Sequence, residues 1–112
     1  MDGVAFTSGH DDFPFAIYPT PTDAAAFDKH YGETHIPLVH KIPGLKKFEL
    51  SKGPVVSPTA ANGVYLVATL HFETMADLQA GLATPEGQAT AADAQTLPVS
   101  GMQMILFESH EA

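Results

Sequence analysis

The sequence predicts an α+β domain in which helices lie over one face of an antiparallel sheet. Its apolar runs and breaks fall in the order strand, helix, strand, strand, helix, strand. Residues 64–72 alternate sides as a strand does, and 112 residues suffice for one domain with a modest core.

The elements follow in chain order. Residues 1–12, with Gly3, Gly9 and three polar residues from His10 to Asp12, read as an irregular leader. Phe13 to Tyr18 is a short apolar strand, which Pro14 confines to a strand start or an edge. Thr22 or Asp23 can cap a helix that begins near Ala24, within a run of strong helix formers. Gly32 weakens that helix and Pro37 is expected to kink or interrupt it. After the Pro43-Gly44 break, Leu45 to Ser51 reads as a strand with Lys46, Phe48 and Leu50 on one side. Residues 53–63, with two Pro and two Gly, read as a loop or a long hairpin connection.

Residues 64–72 give the strongest strand signal. Val64, Leu66, Ala68, Leu70 and Phe72 share an apolar side that needs a helix layer; Tyr65, Val67, Thr69 and His71 share a mixed one. Thr74 caps a further helix, with Asp77 three residues on. Thr84 and Pro85 start another helical piece, rich in Ala, that runs to about Ala94. Met102 to Phe107 is the last strand.

This order is a split β-α-β unit repeated, a ferredoxin-like β-α-β-β-α-β fold. The single domain spans 13–108, and 109–112 form a short tail. One sheet face is left without helices. The mixed side of residues 65–71 suits burial by a second subunit, with the two sheets curving into a dimeric α/β barrel around a cavity.

Composition narrows the function. Hydrophobic residues make up 45%, which excludes wholesale disorder, and charged residues only 16%, which burial in a homodimer would explain. A net charge of -8 disfavours nucleic acid and anionic membrane as partners, since both demand concentrated positive charge. No apolar stretch approaches the ~20 residues that span a bilayer. The absence of cysteine removes disulfides, thiolate catalysis and Cys-ligated metals, and fits a cytoplasmic protein. The start, Met1-Asp2-Gly3, lacks the features of a secretory signal.

The most informative stretch is residues 27–38. It sets apolar Phe27, amphipathic Tyr31 and titratable His35 four residues apart, on one helix face. Such a line suits a helix with one end in a core and the other at a pocket. Phe27-Asp28, His30-Tyr31, Thr34-His35, Pro37-Leu38 and Ile42-Pro43-Gly44-Leu45, followed by Tyr65, Phe72, Pro85-Glu86-Gly87 and Asp93, resemble the EthD family of dimeric α+β barrel proteins. The resemblance covers about Phe15 to Phe107. It implies a homodimer with a ligand cavity between sheet and helices. Members include proteins linked to ether degradation gene clusters, and related dimeric barrels include isomerases, polyketide cyclases and cofactor-free monooxygenases. His35 stands at the family's Thr-His-x-Pro position; His30 stands where many relatives carry an aromatic hydroxyl.

His35 is the foremost acid-base candidate, because an imidazole titrates near ~6.5. Its structural alternative is bracing a carbonyl freed at Pro37. Tyr31 can donate to a carbonyl or phenolate oxygen, or simply fill the core. His30, Tyr65, His71 and Asp93 are candidate substrate contacts, with solvent exposure or local capping as the plainer roles of His71 and Asp93. His30, His35 and His40, with Asp93 or Glu33, invite a metal, but five residues turn a helix about 500° and separate these rings. No metal or cofactor is expected. Neither a glycine-rich phosphate loop nor a nucleophile elbow is present. The expectation is an EthD-like homodimer that binds a small apolar carbonyl-bearing or aromatic molecule, with isomerisation or cyclisation by His35 and Tyr31. A non-catalytic binding protein and a cofactor-independent monooxygenase are the alternatives.

Overall fold

A computed structural model describes residues 12–59, 63–99 and 101–108. The elements are β1 (Asp12–Pro19), α1 (Ala24–His30), a π-helical turn (Tyr31–His35), α2 (Ile36–Val39), β2 (Lys47–Leu50), β3 (Val64–His71), α3 (Met75–Ala83), α4 (Pro85–Ala94) and β4 (Gln103–Glu108). The expected leader up to residue 11 and the tail 109–112 lie outside the described residues. No helix among the described residues is long and apolar enough to cross a membrane.

The strands form one antiparallel sheet in the order β2-β3-β1-β4, which is the ferredoxin-like arrangement. The expected barrel is not there: the sheet is open, with β2 and β4 as its edges among the described residues. A closed barrel with a filled interior takes about eight strands, which the expectation drew from two subunits; this chain supplies four, and they remain an open sheet. Pro14 is accommodated at a strand start. It pairs with Leu106 of β4, while the β3 ladder begins one residue later at Phe15↔Thr69, so β1 is central from Phe15 onward.

The caps explain where the helices begin. The Asp23 carboxylate accepts from Ala26 N–H at 3.0 Å, the Thr74 hydroxyl from Asp77 N–H at 3.0 Å, and the Thr84 hydroxyl from Gly87 N–H at 3.0 Å. Thr84 also ends α3, so α3 and α4 meet without a linker. That joint requires glycine: a Cβ on Gly87 would lie 2.6 Å from Leu82 Cα and press on the Gly81 carbonyl.

All helices pack on one face. Ala16, Tyr18 and Ala68 join Phe27, Tyr31 and Leu97 in one core cluster; Leu70 and Phe72 join Val39, Ile42 and Leu78 in a second; Phe48 touches both. The alternation expected for residues 64–72 holds from Leu66 to Phe72. Tyr65 departs from it. A register shift in the β1–β3 ladder at Tyr18/Pro19 turns its ring against Phe27, with centroids 5.4 Å apart. The opposite sheet face carries the cross-strand pairs Phe15↔Thr69, Ile17↔Val67, Phe15↔Ile105 and Lys47↔His71.

Phe72 is fully buried in the second cluster, whereas Val56 is 85% exposed. Phe72→Ala should therefore lower unfolding free energy by about 3–5 kcal/mol in urea titration. Val56→Ala should change it by less than ~0.5 kcal/mol.

Candidate functional site

The site begins where α1 widens. Ile36 donates its backbone N–H to the Tyr31 carbonyl five residues back, which makes residues 31–35 a π-turn. Pro37 supplies a reason. It lacks an N–H, and its ring would collide with the carbonyl four residues earlier, that of Glu33; a wider turn gives that carbonyl room. The chain therefore runs through Pro37 as helix instead of breaking there. Phe27, Tyr31 and His35 are all buried along this face. The Phe27 and Tyr31 rings stack at 5.5 Å, and the Tyr31 and His35 rings lie 4.9 Å apart.

Asp93 reaches this face from the last turn of α4. Its Oδ2 lies 2.9 Å from His35 Nδ1 and its Oδ1 lies 2.8 Å from His30 Nε2. A carboxylate at a helix C-terminus faces the negative pole of the helix and is disfavoured there without partners. Burial also raises its proton affinity, but the hydrogen bonds from His30 and His35 outweigh that and leave its carboxyl below the usual range. Ionised Asp93 can only accept, so His35 Nδ1 and His30 Nε2 carry the protons. Thr96 donates to the Asp93 carbonyl at 2.7 Å and lies 3.4 Å from His30 Nε2.

His35 is 4% exposed. Burial pushes its imidazole below the ordinary histidine value, against the opposing pull of Asp93. Neutral His35 with Nδ1 protonated leaves Nε2 as a bare acceptor, and that nitrogen has no partner among the described residues.

Next to it lies a cavity of about 100 Å³ between sheet and helices. Tyr18, Tyr31, His35 and Thr90 are the polar residues of its lining; Ala16, Val39, Ile42, Phe48, Ala68, Leu70 and Met104 make most of the remaining wall. The Tyr31 hydroxyl is buried and has no hydrogen-bond partner among the described residues. Burial raises Tyr31 far above the normal phenol value, and raises Tyr18 to about 12. The two phenols influence each other's ionisation, but the geometry at Tyr31 Oη is not that of a hydrogen bond. Both stay protonated at neutral pH and can serve as donors.

The six expected site residues thus separate. His35 and Tyr31 line the cavity together. Asp93 and His30 stand behind His35 and outside the lining. Tyr65 donates to Asp28 Oδ1 at 2.8 Å on the outer side of α1. His71 lies 3.0 Å from Glu49 on the helix-free sheet face. His40 packs edge-on against Phe48 at 5.7 Å. Among the described residues no group of three or more His, Asp or Glu is placed to hold a metal ion. Sequence reasoning passed over Tyr18 and Thr90. Tyr18 alternates with Ala16 along β1, so the inward face of that strand would have pointed to it; Thr90 carries no such signal in an Ala-rich helix.

Residues 19–111 match the EthD domain model. The chain belongs to the EthD family. This EthD protein is 38% identical over 92 residues to an uncharacterised 11.0 kDa protein of the thcB-thcC intergenic region of Rhodococcus erythropolis, covering 82% of its own chain and 88% of that one. An EthD family protein from Bacillus halodurans is 32% identical, with a TM-score of 0.79 over 88% of this chain and 98% of that chain. A dimeric ferredoxin-like protein of unknown function from Thermobifida fusca shares the fold at 15% identity, with a TM-score of 0.63 over 88% of this chain and 90% of that chain.

The depressed His35 value has a consequence for stability. Below ~6.5 the unfolded chain takes up a proton at this residue that the folded one resists. Stability linked to His35 is therefore full above that pH and is lost as pH falls toward the folded value. Melting curves between about pH 7.5 and 5 should show Tm falling with acid, and His35→Asn should flatten that fall. A Tm that rises with acid would mean that His35 is charged in the fold.

Proposed function

We propose that this EthD protein holds a small carbonyl-bearing molecule in the cavity beside His35 and moves a proton on it. The observation that carries the reading is the pairing of a bare Nε2, fixed by Asp93 on the ring's other nitrogen, with the orphaned Tyr31 hydroxyl. Nε2 takes a proton from the carbon next to the carbonyl. The C–H electron pair forms a C=C bond, and the carbonyl electrons move to oxygen, where the Tyr31 O–H donates a hydrogen bond. Asp93 stabilises the imidazolium that results, and His35 returns the proton to another atom. The product is an isomer, and no co-reactant is consumed. The same enolate can instead close a ring by attack on a second carbonyl, whose oxygen then takes the proton back from His35. Relatives with other activities share only the architecture, and architecture alone does not carry chemistry.

Hydrogen–deuterium exchange tests this without knowledge of the natural substrate. Small ketones and 1,3-dicarbonyls incubated in D2O with the protein should exchange the proton beside the carbonyl, followed by NMR. His35→Ala should slow the catalysed exchange ~10²–10⁴-fold. Tyr31→Phe should weaken binding by about 0.5–1.5 kcal/mol, and more where the ligand oxygen is left unpaired. Binding without exchange would favour a carrier or accessory protein.

The reading includes a homodimer. Phe15, Ile17, Val67, Ile105 and Phe107 place apolar groups on the helix-free sheet face, and Ile105 is 44% exposed. The low charged fraction and the dimeric relative from Thermobifida fusca support a second copy there. Light scattering should give twice the 11.9 kDa chain mass, and Ile105→Asp should shift it toward the monomer.

A further inference from the structure

We infer that the cavity selects a neutral enol or phenol and rejects carboxylates. The inference rests on the acid-base reading of His35 and Tyr31 and adds the charge and hydrogen-bond pattern of the ligand. His35 and Tyr31 both line the cavity: His35 Nε2 is a bare acceptor, and the Tyr31 hydroxyl lies buried in the wall, unpaired among the described residues and within reach of a ligand that presses it aside. A complementary ligand brings an O–H to the first and a lone pair to the second. A phenol has both on its hydroxyl, and an enolised 1,3-dicarbonyl has both within one conjugated unit.

Charge decides against anions. The chain contains no arginine, and all five lysines are exposed and absent from the cavity wall. Carboxylate recognition inside a pocket relies on paired cations or several oriented donors. Here a formal negative charge, the Asp93 carboxylate, is bonded directly to the lining residue His35. Buried His35 is held neutral, so it supplies no compensating cation. A carboxylate entering this cavity would lose its water and meet a negative field.

Size limits the ligand further. An apolar cavity of roughly 150 Å³ accepts benzene. This one has about 100 Å³ and meets the surface at Met104, which is 45% exposed. That is below the volume that holds benzene, so a single six-membered ring enters only where the exposed Met104 side chain turns aside, and nothing larger is accommodated.

The test uses phenol, toluene and benzoate, which share one ring and differ at one substituent. Binding to the full chain is followed by calorimetry and by the NMR signals of labelled His and Tyr at about pH 7.5, where phenol is neutral and benzoate ionised. Phenol should bind about fivefold or more tightly than toluene, the value of one net hydrogen bond of ~1 kcal/mol. Benzoate should not bind measurably. Tyr31→Phe and His35→Ala should each reduce the preference for phenol over toluene, with circular dichroism showing that each variant folds. Benzoate binding as tight as phenol would overturn the neutral-ligand inference. Equal binding of phenol and toluene, or no phenol binding, would overturn polar recognition in the cavity. Neither outcome depends on turnover: a phenol preference with no ketone exchange would remove the catalytic reading and leave this one standing.

Discussion

The Asp93 carboxylate, divided between His30 and His35, is the interaction on which the site depends. It joins the end of α4 to the face formed by α1 and the π-turn, across elements far apart in sequence. A lone acid at that helix end would meet both the negative helix pole and a loss of water. Two imidazole N–H donors offset both, and in doing so they fix each ring's tautomer. The electronic state of the buried histidine is thus set by a residue that never lines the cavity.

The backbone contributes the second constraint. Pro37 disfavours an ordinary helix, and the wide turn before it carries Tyr31 and His35 into the space over Ala16, Ala68 and Leu70. The Tyr18, Phe27 and Tyr31 rings then lock the turn from the other side, at centroid distances of 5.5–5.6 Å. Rigid aromatic neighbours hold the Tyr31 hydroxyl in a dry position without satisfying it. Buried polar groups are nearly always paired, so an orphan beside a cavity points to a ligand as its partner.

Much of this was legible in the residues. Alternation along 64–72 identified the inward strand face, Thr74, Thr84 and the pair Thr22 or Asp23 marked the helix starts, and the four-residue spacing of Phe27, Tyr31 and His35 placed them on one buried face. Other features were not legible, for physical reasons. The π-turn depends on how the chain relieves the Pro37 clash, and one-dimensional spacing does not choose between a break and a wider turn. Asp93 was noticed, but its double engagement needs the tertiary approach of α4 to α1. Tyr65 was aligned with Val67 and His71 by strict alternation, and a single register shift sent it to Asp28 instead. The barrel expectation drew on two sheets curving together, and the sheet of this chain is open at β2 and β4.

The central claim is the tautomer of His35. Long-range proton–nitrogen NMR of histidine-labelled protein at about pH 7.5 reads it directly, with assignment by His35→Asn. The account predicts a protonated Nδ1 and a bare Nε2 in the wild type, with that preference lost in Asp93→Ala. A wild-type His35 protonated on Nε2 and bare on Nδ1 would contradict it, because the cavity would then face a donor and the proposed base would be absent.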